Sequence, residues 1–220
     1  MSIRWQEGRH ALICACVFAL VCVFTPTEAQ AVLQVYNTGV DNGGNALPDG
    51  SSEQHYTVSG QATSAVVLAA GLPSSWVVAP AGSAWIGPLG GNSNGLAGLY
   101  LYDFAFDLTG LDPSTAIMLG DWATDNDALL YLNGAATGYS KTLFGFQTLD
   151  PFSLTSGFGP GINTLEFRVN NISGPTGLLV ANLRASADLG PPGGAIPEPG
   201  TMALMGLGLF GLGARRRFHA

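Results

Sequence analysis

No cysteine occurs after position 22, and the three present, Cys14, Cys16 and Cys22, all lie in one apolar stretch near the N-terminus. A domain built from the rest of the chain can hold neither a disulfide nor a thiolate metal site, so packing must stabilise it. Positive charge is equally scarce. Between residues 32 and 189 only Lys141, Arg168 and Arg184 are basic, against twelve Asp and Glu. Affinity for nucleic acid rests on Lys and Arg displacing counterions from phosphates, so nucleic acid is excluded as a partner. Histidine in this segment is reduced to His55. Gly91-Asn92-Ser93-Asn94-Gly95 spells G-x-S-x-G, but a nucleophile elbow needs a following helix and a later histidine. Here the next segment alternates as a strand and His55 comes earlier, so the match reads as a polar loop. No carboxylate is marked as a catalytic acid, and no enzyme is expected. Nor does any uninterrupted apolar run reach the ~20 residues that span a bilayer.

What is present at the two ends is addressing. Arg4 and Arg9 precede an apolar run from Ala11 to Phe24, broken by Thr25-Pro26-Thr27-Glu28. Ala29-Gln30-Ala31 then supplies the A-x-A pattern that signal peptidase cuts, so residues 1–31 read as a signal peptide and the mature chain begins at Val32. At the other end Pro197-Glu198-Pro199 leads into an uncharged run, 201–214, closed by Arg215-Arg216-Arg217. Arginines after an apolar run match the bias for a cytoplasmic flank, so 197–220 reads as a short membrane-anchoring segment. Residues 190–196 are a Gly/Pro linker.

The intervening residues 32–189 read as one all-β domain. Tyr100, Tyr102, Phe104 and Phe106 alternate with Leu101, Asp103 and Ala105, and Leu165, Phe167 and Val169 alternate with Glu166 and Arg168. Period two of this kind is a half-buried strand. Further strands are expected at 32–37, 53–59, 64–70, 75–79, 115–120, 128–132, 141–148 and 176–187. Turns fall at Asn42-Gly43-Gly44, Pro48-Asp49-Gly50, Leu111-Asp112-Pro113 and Asn133-Gly134. Many short strands punctuated this way predict an antiparallel β-sandwich or jelly roll.

The tail order resembles the sorting signal of PEP-CTERM proteins. That resemblance implies an exosortase-type transpeptidase as processing partner and a Gram-negative-type cell surface or extracellular matrix as destination, reached through a transient inner-membrane anchor. Within the domain, Ala84-Trp85-Ile86-Gly87-Pro88, Gly120-Asp121-Trp122-Ala123-Thr124-Asp125-Asn126-Asp127, Tyr131-Leu132-Asn133-Gly134 and Gly161-Ile162-Asn163-Thr164-Leu165-Glu166-Phe167 follow in order. This succession, over most of 75–187, is similar to galactose-binding-like jelly-roll domains of PEP-CTERM exoproteins, which implies a sandwich of two antiparallel sheets.

Sugar binding needs an exposed aromatic platform and a few fixed polar groups. Trp76, Trp85 and Tyr139 are the loop-proximal aromatics, with His55, Asn92 and Asn94 as polar companions; core packing is the competing role for both tryptophans. Asp121, Asp125 and Asp127 are the candidate Ca²⁺ carboxylates, although Asp125-Asn126-Asp127-Ala128 lacks the glycine and distal Glu of an EF-hand loop. The alternative role for Trp122, Asp125 and Asn126 is to bury the indole and shape the turn into the next strand. The reading is an exported, exosortase-sorted, non-catalytic surface or biofilm-matrix protein with exopolysaccharide as candidate ligand. Its rivals are a structural surface protein without a small ligand and, more remotely, a glycan-active enzyme.

Overall fold

A computed structural model describes residues 30–89 and 93–190. They form two antiparallel sheets packed face to face. Along the chain the strands are β1 (Gln30–Val32), β2 (Tyr56–Gly60), β3 (Val66–Leu68), β4 (Trp85–Gly87), β5 (Gly98–Asp107), β6 (Ile117–Asp125), β7 (Asp127–Leu132), β8 (Ala135–Lys141), β9 (Asp150–Leu154), β10 (Ile162–Asn171) and β11 (Gly177–Asp188). One sheet runs β3-β4-β11-β6-β9 with β1 added against β11, and the other runs β2-β5-β10-β7-β8. The predicted sandwich is the observed fold.

The aromatic face of β5 builds the core between the sheets. Tyr100, Tyr102, Phe104 and Phe106 are buried there with Leu165, Phe167 and Val169 of β10 and Trp122 of β6. Asn133 and Gly134 both take positive φ, 52° and 78°, so they make the two-residue turn whose twist suits the β7–β8 hairpin. The Tyr102 hydroxyl is buried without a hydrogen-bond partner, and burial pushes its pKa far up. A buried, unmatched hydroxyl costs ~1–3 kcal/mol. Tyr102→Phe is therefore expected to raise stability by ~1 kcal/mol. In urea the unfolding midpoint should move up at unchanged slope, and a lowered midpoint would count against the assignment.

Several segments depart from the expectation. Residues 75–79 are a turn and an irregular segment, not a strand; 141–148 leaves β8 into a 3-10 turn at Gly145–Gln147; of 32–37 only Val32 lies in a strand; and the strands at 85–87, 135–141 and 150–154 lacked a legible alternation. The first two departures have one cause. The outer face of the six-stranded sheet is covered, around Ala123 and Leu179, by a second apolar cluster of Leu68, Trp76 and Trp85, with Leu72, Val77, Ala79, Phe146 and Leu149 against it. Segments 70–84 and 142–149 are the cover. Trp76, Val77, Ala79, Phe146 and Leu149 reach the sheet from these segments without strand periodicity, while Val78, Leu143 and Phe144 stay exposed.

The two ends of the described chain leave from one end of the sandwich. Gln30 of β1 pairs with Asp188 of β11. At the other end of β11, Gly177 pairs with Asp125 of β6. Twelve residues of strand separate these ends, roughly 40 Å. Cleavage after Ala31 would leave only Val32 of β1, since Gln30 and Ala31 belong to that strand. Ala29, Pro197, Glu198, Pro199 and Arg215 to Arg217 lie outside the described residues, as does the apolar run 201–214. Among the described residues no helix is long and apolar enough to cross a membrane.

Candidate functional site

At the end of the sandwich remote from Gln30 and Asp188, the chain crosses from one sheet to the other within a single residue. Asp125 closes β6, Asn126 makes the crossing through a cis peptide bond, and Asp127 opens β7. Side chains fix this crossing. Thr176 Oγ1 donates to the Asp125 carbonyl (2.8 Å), Thr124 Oγ1 donates to the Asn126 carbonyl (2.8 Å), and Ile172 N–H donates to Asn126 Oδ1 (2.8 Å). Three further segments converge on it, and together they line a groove of about 310 Å³ whose walls include Pro73, Trp76, Asp125, Asn126, Phe144 and Pro175.

The groove combines two kinds of side chain. Asp125 is only 4% exposed. Its Oδ2 accepts from Trp76 Nε1 at 2.7 Å, and its Oδ1 accepts from Asn126 Nδ2. Burial pushes the carboxyl up to about 6, with the Trp76 hydrogen bond pulling the other way. Phe144, by contrast, is 58% exposed, with its ring edge-on to Phe146 at 6.1 Å. A partly wet aromatic ring beside a buried acceptor is a pairing able to hold a polar ring compound. A larger cleft of about 470 Å³ runs between β8 and β9, lined by Tyr139, Ser153 and small residues. Among the described residues it contains no ionisable group other than the Tyr139 phenol.

The expected site residues are partly regrouped. Trp76 and Trp85 do not form an exposed platform. Their rings lie 4.1 Å apart inside the outer apolar cluster, and Trp85 is wholly buried with Nε1 donating to the Val77 carbonyl at 3.0 Å. The cover segment 70–84 buries them, and only Trp76 reaches a groove wall. Tyr139 is half-buried in the other cleft, where its hydroxyl donates to Ser153 O (3.0 Å) and accepts from Ser153 N–H (2.9 Å), clamping β8 to β9. His55 stacks on Tyr36 at 3.6 Å, Asn94 makes a β-bridge with Pro175, and Asn92 lies outside the described residues.

The calcium cluster is also corrected. Asp121 accepts from Asn182 on β11, Asp125 from Trp76, and Asp127 faces Asn170 on β10 at 3.4 Å. Asp121 and Asp127 belong to different sheets, so the three carboxylates do not converge. Among the described residues no group of three His, Cys, Asp or Glu side chains could hold a metal ion. Phe144 and Phe146 escaped the sequence reading because 141–148 was read as one strand. Three aromatic or large apolar residues within four positions, Leu143, Phe144 and Phe146, flanked by polar residues, was the signal available.

Residues 195–217 match the PEP-CTERM protein-sorting motif. The protein is thus an exported, cell-surface-directed β-sandwich, and the motif implies processing by an exosortase. No curated protein matches the chain. Similar solved structures include a family 35 carbohydrate binding module from Clostridium thermocellum, at 8% identity and a TM-score of 0.38, covering 71% of this chain and 97% of that one. Another is the enzymatically active domain of tailspike protein 4 from Bacteriophage CBA120, at 16% identity and a TM-score of 0.36, covering 67% and 21%. A third is a GH31 alpha-xylosidase from Xanthomonas citri, at 14% identity and a TM-score of 0.26, covering 73% and 17%.

Proposed function

We propose that this protein is a non-catalytic glycan-binding component of the surface or biofilm matrix of a Gram-negative-type bacterium, and that the Asp125–Phe144 groove holds the glycan. In this reading signal peptidase removes the N-terminal segment, and the C-terminal tail anchors the protein transiently in the inner membrane until exosortase processes it. One observation carries the proposal. The groove with an exposed aromatic and a buried acceptor lies at the end of the sandwich opposite to the one from which β11 leaves toward the sorting tail. A tether through that tail turns the groove outward, toward exopolysaccharide. Weak binding at each groove is sufficient, because many displayed copies bind a repeating polymer with avidity.

The test is calorimetry of the exported protein against a panel of neutral, acidic and amino-sugar oligosaccharides. Saturable binding that Phe144→Ala abolishes, with circular dichroism and melting temperature unchanged, is the expected result. A well-folded protein that binds nothing on the panel would transfer the assignment to a structural surface role.

A further inference from the structure

The groove carries a single charge. The segments 70–84, 142–149 and 172–176 contain no Asp, Glu, Lys, Arg or His, so among the described residues Asp125 is the only ionisable one in its walls. The nearby acids on the strands, Asp121 and Asp127, are bonded to Asn182 and Asn170. The basic groups of the described strands are engaged elsewhere. Lys141 pairs with Asp150 at 2.7 Å, Arg168 pairs with Glu166, and Arg184 lines a different cleft with Tyr139 and Asp121. Asp125 is therefore a buried carboxylate with no cation against it among the described residues. Buried charges are ordinarily paired, and an ionised carboxylate has about four lone-pair sites, of which Trp76 and Asn126 occupy two.

We propose that the groove selects a cationic amino sugar, a glucosamine-type unit with a free ammonium, which pairs with Asp125 while the sugar ring lies against Phe144. This rests on the glycan-binding reading and narrows its ligand class. The chemistry excludes the neighbouring classes. A uronate or sulfated sugar would meet Asp125 with no basic residue to offset it, and N-acetylation would remove the ammonium. An ammonium close to an aromatic face gains further from the ring's quadrupole.

Calorimetry of the full exported protein with glucosamine oligomers and their N-acetylated counterparts tests the proposal. The free amine is expected to bind about tenfold tighter, as charge-assisted hydrogen bonds outweigh neutral ones. Asp125→Asn should remove that advantage, and Phe144→Ala should abolish binding of both oligomers; Phe144→Ala is an exposed change that leaves the fold readable if Asp125→Asn disturbs it. Asp127→Asn, outside the groove, should leave it intact. Affinity should also fall as pH drops through about 6, where Asp125 gains its proton while the sugar amine keeps its own. Equal affinity for both oligomers, or equal losses in Asp127→Asn and Asp125→Asn, would overturn the amino-sugar class while glycan binding stands. Binding to no glycan of either kind would overturn both.

Discussion

Replacing Trp85 with alanine is expected to lower the unfolding free energy by about 4 kcal/mol, the middle of the range for deleting a buried tryptophan. The side chain has no solvent exposure, touches Trp76 ring to ring, and satisfies its indole N–H on the Val77 carbonyl. Its removal empties the centre of the cluster that fixes segment 70–84 to the six-stranded sheet. A domain of this size loses roughly 2–4 °C per kcal/mol, so the melting temperature should fall by about 10 °C or more. The same cluster holds Trp76, whose N–H bonds Asp125, so the groove should loosen together with the core. A melting temperature within about 2 °C of the parent would show that the cover segment is held from elsewhere.

This tryptophan also marks what the sequence can and cannot express. Alternation names an inward and an outward face, and it located the aromatic face of β5 and the apolar face of β10 because one side of each strand meets water. On the six-stranded sheet the outward face is itself covered. Residues Gly177 to Ala181 and Trp122 to Asp125 are consequently buried at every position, and period two disappears. A tryptophan on such a strand looks loop-proximal and available, whereas the cover that buries it comes from a segment with no periodicity of its own. The short strands β4 and β9 were illegible for a related reason: three or five residues do not establish a period.

The site was legible in its pieces and not in its grouping. Trp76 and Asp125 were singled out for separate chemistries, a sugar platform and a calcium site, yet they share one hydrogen bond. Forty-nine residues of chain separate them, and no local spacing encodes their meeting. Asp121, Asp125 and Asp127 lie close in sequence and looked like partners. The change of sheet at Asn126 sends them apart, since a strand that hands its chain to the opposite sheet reverses what nearness in sequence implies.

Asn163→Ala is expected to cost about 3 kcal/mol, because it strands several partly buried backbone groups at once. Asn163 is fully buried. Its Nδ2 donates to the carbonyls of Gly159 (2.8 Å) and Gly161 (2.9 Å), and its Oδ1 accepts from Gly159 N–H (2.8 Å) and from Asn133 Nδ2 (2.7 Å). Asn133 in turn bonds Gly157 O and Thr164 N–H, so one amide ties the loop before β10 to the β7–β8 turn. Leucine would keep the volume but leave those groups unpaired, and should be at least as damaging as alanine. Chemical unfolding of both variants checks this, and a loss below about 1 kcal/mol would mean that other groups satisfy the loop. The Gly161-Ile162-Asn163 and Asn133-Gly134 segments that carried the fold resemblance are thereby explained as structural locks. They hold the sandwich together, whereas Asp125, Phe144 and the uncharged segments around them line the groove for which glycan binding is proposed.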